Sequence, residues 1–111
     1  MVERDATLRL HNVEFLVEFK VEVPEGTPEA DVQQRQRAEA AAAAELAADG
    51  HLVRLWRRPT VGDGTTAVGL YRADSSSTLD GLLGALPLAD WMQITVTPLA
   101  AHPNDPAPLR Q

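Results

Sequence analysis

VEFLVEFKVEV, residues 13–23, places Val13, Phe15, Val17, Phe19, Val21 and Val23 at every second position. A repeat of two residues belongs to a β-strand, because successive side chains leave a strand on opposite faces, and here one whole face is apolar. The other face carries Glu14, Leu16, Glu18, Lys20 and Glu22, polar enough to meet solvent, a ligand or a partner subunit. PEGTPEA, residues 24–30, then breaks the strand. Thr27 followed by Pro28 reads as a helix N-cap with proline in the first helical position, and Glu29 and Asp31 suit the positive end of a helix dipole. The helix is expected to run from about residue 28 to Asp49, where Gly50 supplies a left-handed stop.

HLVRLWRRP (51–59) and TTAVGLYRA (65–73) are rich in β-formers. They read as the second and third strands, joined through TVGDG (60–64), whose Gly62 and Gly64 suit a hairpin connection. SSSTLDGLLGALPL (75–88) opens with serines able to cap, spaces Leu79, Leu82, Leu83 and Leu86 as a helix does, and is expected to end at Pro87. WMQITVTPLA (91–100) returns to alternation, with Met92, Ile94 and Val96 on one side. The order is β-α-β-β-α-β, an α+β class chain of ferredoxin-like arrangement: a four-stranded antiparallel sheet with both helices on one face. Such a sheet leaves its second face uncovered, and a homo-oligomer that pairs sheet to sheet is the natural expectation.

The 111 residues suffice for one core, and 44% hydrophobic with 23% charged residues is ordinary for a folded chain. A net charge of -6 argues against nucleic acid as a partner, since phosphate tracking needs a basic surface. No cysteine is present, so thiolate metal sites and disulfides are excluded. The histidines, at 11, 51 and 102, lack metal-ligand spacing, and no metal is expected. The charged start MVERDATLRLHN is unlike a secretory signal, and no stretch approaches the ~20 apolar residues of a membrane helix. A cytoplasmic protein without a membrane partner is the expectation. Residues 1–12 read as an N-terminal extension, 13–104 as the domain, and 105–111 as a proline-rich tail.

Chemistry concentrates in two places. In the alanine-rich helix, Val32, Glu39, Ala42, Ala43 and Leu46 fall on one stripe at helical spacing, so Glu39 occupies a position where a leucine would ordinarily pack. A carboxylate held against small side chains and partly out of water has its pKa raised, as a general base requires. The alternative is that Glu39 is solvated or paired with Arg35 one turn earlier. Glu45, about 100° round the helix from Leu46, is expected at the edge of the stripe. In RLWRR (54–58), Arg54, Trp56 and Arg58 project to one side of a strand and Leu55 and Arg57 to the other. Tryptophan between arginines could form a slot for a flat anion, with Arg54, Trp56, Arg57 and, at the strand entrance, His51 as candidate substrate-binding residues. Simple cation–π and ion-pair packing across the sheet is the alternative.

AEAAAAAELAADGHLVRLWR together with LPLADWMQITVTPLAAHP resembles the muconolactone δ-isomerase family. The pattern falls on Pro24, Glu39, Leu46, Gly50, Leu55-Trp56-Arg57, Leu86-Pro87-Leu88, Met92, Ile94, Val96 and His102-Pro103, in order. The resemblance implies a ferredoxin-like subunit assembling through dimers, as a dimeric α+β barrel, into a decamer. It also implies a cofactor-free isomerase that shifts a double bond in an unsaturated lactone by proton abstraction and return, with the glutamate at position 39 as its base. Three departures stand out: Ala40 where the family commonly has Lys, a longer connection after Arg57, and LPLADWM where the family usually reads LPLFPYM. Changed walls around a kept base point to related chemistry on a different, larger substrate. A secondary-metabolism isomerase or cyclase on the same barrel, or a non-catalytic binding or assembly module, are the rival expectations.

Overall fold

In the computed structural model, which describes residues 13–59 and 66–107, the alternating segment is strand β1, Val13–Val21. It lies between two antiparallel partners, β3 (Thr66–Ala73) and β4 (Met92–Leu99), and β2 (Leu52–Arg57) completes a four-stranded sheet in the order β2-β3-β1-β4. Helix α1 spans Glu29–Ala48 and helix α2 spans Ser76–Gly84, giving the expected βαββαβ order. The register sets which side chains meet. Phe15 stands opposite Tyr71 and Pro98, Val17 opposite Gly69 and Val96, and Phe19 opposite Ala67 and Ile94. Phe15, Val17 and Phe19 are buried with Tyr71 and Ala73, and Leu46 of α1 and Leu79 and Leu83 of α2 close the same core. Both helices therefore cover one face of the sheet. Met92, Ile94 and Val96 join it from the edge strand, as their alternation predicts.

Three local features differ from expectation or lie outside the described residues. Thr27 does not cap α1: its hydroxyl donates back to the Pro24 carbonyl at 2.6 Å, and Pro28 is the N-cap residue, its carbonyl accepting from Asp31 and Val32. With Pro28 as the N-cap residue, Thr27 stands one position outside the helix and makes no capping bond. Helix α2 ends at Gly84 rather than Pro87, because Leu86 and Leu88 turn inward and a 3-10 turn at Ala89–Trp91 leads into β4. Gly62 and Gly64 lie outside the described residues. The other termini behave as read. Gly50 adopts φ +86°, its N–H reaches Ala47 and that of His51 reaches Leu46, which is the left-handed stop. Ser75 caps α2 by accepting from the Thr78 N–H at 3.1 Å.

The second face of the sheet is uncovered. Leu16 sits there across from Leu70 and Thr97, flanked by the ion pairs Glu14–Arg72 at 2.9 Å and Glu18–Arg58 at 3.6 Å. Among the described residues no helix is long and apolar enough to cross a membrane.

Candidate active site

Helix α1 contributes little bulk: of its 20 residues only Leu46 is buried, while Val32, Arg35, Glu39, Ala42 and Ala43 are half-buried. These are the residues of the predicted stripe with Arg35 added, and Glu45 is exposed as expected. Helical periodicity thus delivers a carboxylate to the sheet side of α1. Its Oε1 accepts a hydrogen bond from the Leu88 backbone N–H at 3.0 Å. Burial raises the Glu39 pKa from its ordinary value, and the Leu88 N–H pulls it partway back. Oε2 has no hydrogen-bond partner among the described residues, which leaves one lone-pair-bearing oxygen of a half-desolvated carboxylate available to take a proton.

Tyr71, on β3, is the neighbour that sequence reasoning missed. Burial pushes its hydroxyl up to about 12, and the negative charge of Glu39 adds to the shift. It stays a neutral O–H at physiological pH. Its ring is held by Phe19, at 6.0 Å between centroids, and by Gly69, where a Cβ would come within 2.6 Å of the ring and 3.2 Å of Leu55. Gly69→Ala is expected to destabilise the domain by about 1–3 kcal/mol, since a ring so enclosed cannot swing away. Urea unfolding of the pair of proteins checks this.

Arg35 does not pair with Glu39. Its Nη1 donates to Asp90 Oδ1 at 2.6 Å and to the Pro87 carbonyl at 3.0 Å, and its guanidinium lies 4.4 Å over the Trp91 ring. The buried side chains of Leu86 and Leu88 fix the segment that makes these contacts. Beside it a groove of about 510 Å³ opens, lined by residues including Thr27, Gln34, Arg35, Ala38, Pro87 and Trp91. Glu39 follows Ala38 in sequence and bonds the Leu88 N–H next to Pro87, but it does not itself line the groove.

The remaining predicted residues divide by face. Arg54 and Trp56 pair with Leu70 and Val68, so they lie on the uncovered side of the sheet, where the Arg54 guanidinium sits 5.0 Å from the Trp56 ring. They are on the opposite side of the sheet from Glu39. A bulge between Leu52 and Arg54 sets this phase, and it leaves Arg57, opposite Ala67, on the helix side with Leu55. His51 lies beyond the C-terminal end of α1, more than two turns from Glu39, with Nδ1 2.8 Å from the Arg72 carbonyl. The structure therefore does not gather Arg54, Trp56 and His51 around Glu39 within one subunit. Among the described residues no cluster of three or more His, Cys, Asp or Glu side chains could hold a metal.

Residues 13–105 match the family model described as muconolactone delta-isomerase. The chain is 34% identical over 90 residues to a muconolactone delta-isomerase of Cupriavidus pinatubonensis, covering 81% of this chain and 95% of that one. It is 31% identical, also over 90 residues, to muconolactone delta-isomerase 1 of Acinetobacter lwoffii, covering 81% of this chain and 91% of the relative. A muconolactone isomerase solved at 3.3 Å superposes with a TM-score of 0.76 at 26% identity, over 88% of this chain and 99% of the other. With a family model over most of the chain, relatives at 31% and 34% identity and a shared fold in agreement, the chain is an isomerase that belongs to the muconolactone delta-isomerase family.

Proposed function

We propose that Glu39 is the general base of a cofactor-free double-bond shift in an unsaturated lactone. The single observation that supports this most is a half-buried carboxylate with one oxygen anchored on the Leu88 N–H and the other unpartnered among the described residues. The carboxylate removes a proton from the saturated ring carbon next to the C=C that is conjugated with the lactone carbonyl. The C–H electron pair moves into the ring as a dienolate, and the proton, now on Glu39, returns to another carbon of the same system. No atom is gained or lost, and the base ends as it began. Arg57, on the same side of the sheet, is the member of the RLWRR cluster best placed to act with it. The small Ala38 on the groove, with Ala89 nearby in sequence where the family usually has Phe, favours a lactone larger than muconolactone itself.

Assembly through the uncovered sheet face belongs to the same proposal, as a dimer or a decamer built from dimers. Leu16, half-buried in the isolated subunit, and the exposed Trp56 provide the apolar centre, and the Glu14–Arg72 and Glu18–Arg58 pairs its polar surround. Leu16→Arg is expected to lower the molecular mass seen by light scattering while leaving the far-UV spectrum unchanged. A cysteine-free chain suits a cytoplasmic enzyme. Activity is tested by incubating the protein with muconolactone in D₂O and following the ring protons by NMR. Movement of the double bond at an enzyme-dependent rate is expected, and its absence with both muconolactone and bulkier butenolides would discard the proposal.

A further inference from the structure

We propose that Arg35 is a substrate-anchoring residue, whose free guanidinium edge binds the carboxylate of an anionic lactone in the groove between α1 and the Pro87–Trp91 segment, an inference that rests on Glu39 being the base. Three observations carry it. Among the described residues both hydrogen-bonding contacts of Arg35 are made through Nη1, so the Nε–Nη2 edge, with three N–H donors, has no protein partner there. That edge is the fork that meets a carboxylate bidentately. The Trp91 face and the Asp90 and Pro87 oxygens hold the guanidinium in one orientation beforehand, which reduces the ordering cost of binding. The groove it lines is large enough for a small ring and carries the apolar walls of Pro87 and Ala38.

Position relates Arg35 to the base. Arg35 bonds the Pro87 carbonyl and Glu39 bonds the Leu88 N–H, which are the two ends of a single peptide group. Nη1 of Arg35 and Oε1 of Glu39 therefore lie within about 8 Å of each other, on either side of that peptide group, so one short segment positions both side chains. Asp31 lines the groove and Asp90 pairs with Arg35 Nη1, so both carboxylates disfavour an anion placed away from the free edge of Arg35. The arrangement thus selects a ligand by where its charge sits. None of His51, Arg54, Trp56 and Arg57 lines this groove.

The test uses full-length protein carrying Glu39→Gln, which permits binding without turnover, and calorimetric titration with a carboxymethyl-butenolide and with its methyl ester. Tighter binding of the acid is expected. Adding Arg35→Gln should weaken the acid by about tenfold or more and the ester by less than about twofold. Asp90→Asn should strengthen the acid by up to about fivefold, with the ester unchanged. If Arg35→Gln does not fold, Arg35→Lys replaces it, and a several-fold loss confined to the acid is expected because lysine lacks the fork. Equal affinities for acid and ester before Arg35 is changed, or an acid preference that survives its change, overturn the proposal. An Arg35-dependent acid preference in a protein that turns over no lactone would sustain the anchor and discard the catalytic role of Glu39.

Discussion

Glu39→Gln is expected to lower kcat by about a thousandfold, with KM moved by less than about threefold, because an amide keeps the shape and the Leu88 contact but accepts no proton at working pH. Retention of kcat within a few-fold would remove Glu39 from the mechanism. The wild-type enzyme should show an acid limb in kcat/KM whose midpoint is raised from that of a free glutamate, since burial raises the Glu39 pKa and only the ionised form is a base. The same shift has a sign for stability. Between the unfolded and folded pKa values the folded chain binds the proton more tightly, so the contribution is fully present below the unfolded value and is lost as pH rises through the folded one. At neutral pH the ionised carboxylate is therefore a burden on the fold. Glu39→Gln should accordingly be no less stable than wild type at pH 7, so that activity and melting temperature separate in a single variant.

Phe15→Ala is expected to produce the largest loss of stability, about 3–5 kcal/mol. Phe15 is only 1% exposed and sits on a central strand, with Tyr71 opposite on one side and Pro98 on the other. Truncation leaves a hole that neither neighbour can fill without breaking the register of two strand pairs. Against a total of about 5–15 kcal/mol for an ordinary domain, this removes a large fraction, and the midpoint of urea denaturation should fall with little change in slope. A loss under about 1 kcal/mol would mean that the core is far more plastic than its register implies.

The fold was legible because its signals were local. Alternation in β1 fixed a strand and its buried face, Gly50 and Ser75 marked helix ends through their own backbone and hydroxyl chemistry, and the order of elements followed. Glu39 was legible for the same reason, as a periodicity argument needs only one helix. The partners of Glu39 were not. Leu88 and Tyr71 reach it from elements about fifty and thirty residues away, through a backbone N–H and a core side chain that carry no distinctive motif. Arg35 illustrates the limit most clearly: its neighbour on the helix is Glu39, but a tertiary contact at 2.6 Å with Asp90 claims it instead. The strand reading of RLWRR correctly separated Arg54, Trp56 and Arg58 from Leu55 and Arg57. Which set faces the helices depends on the bulge at Leu52/Arg54, and a bulge of one residue leaves no trace in alternation.

The contact that holds Glu39 comes from main chain, not from a side chain. Any amino acid at position 88 other than proline supplies the same N–H, and any residue at 87 supplies the same carbonyl to Arg35. The loop is therefore free to exchange the side chains that a substrate would touch while the base keeps its partner. Selectivity can drift at Ala89, Asp90 and Trp91 without retuning proton transfer, which makes this segment the place where new lactone preferences could be installed on unchanged chemistry.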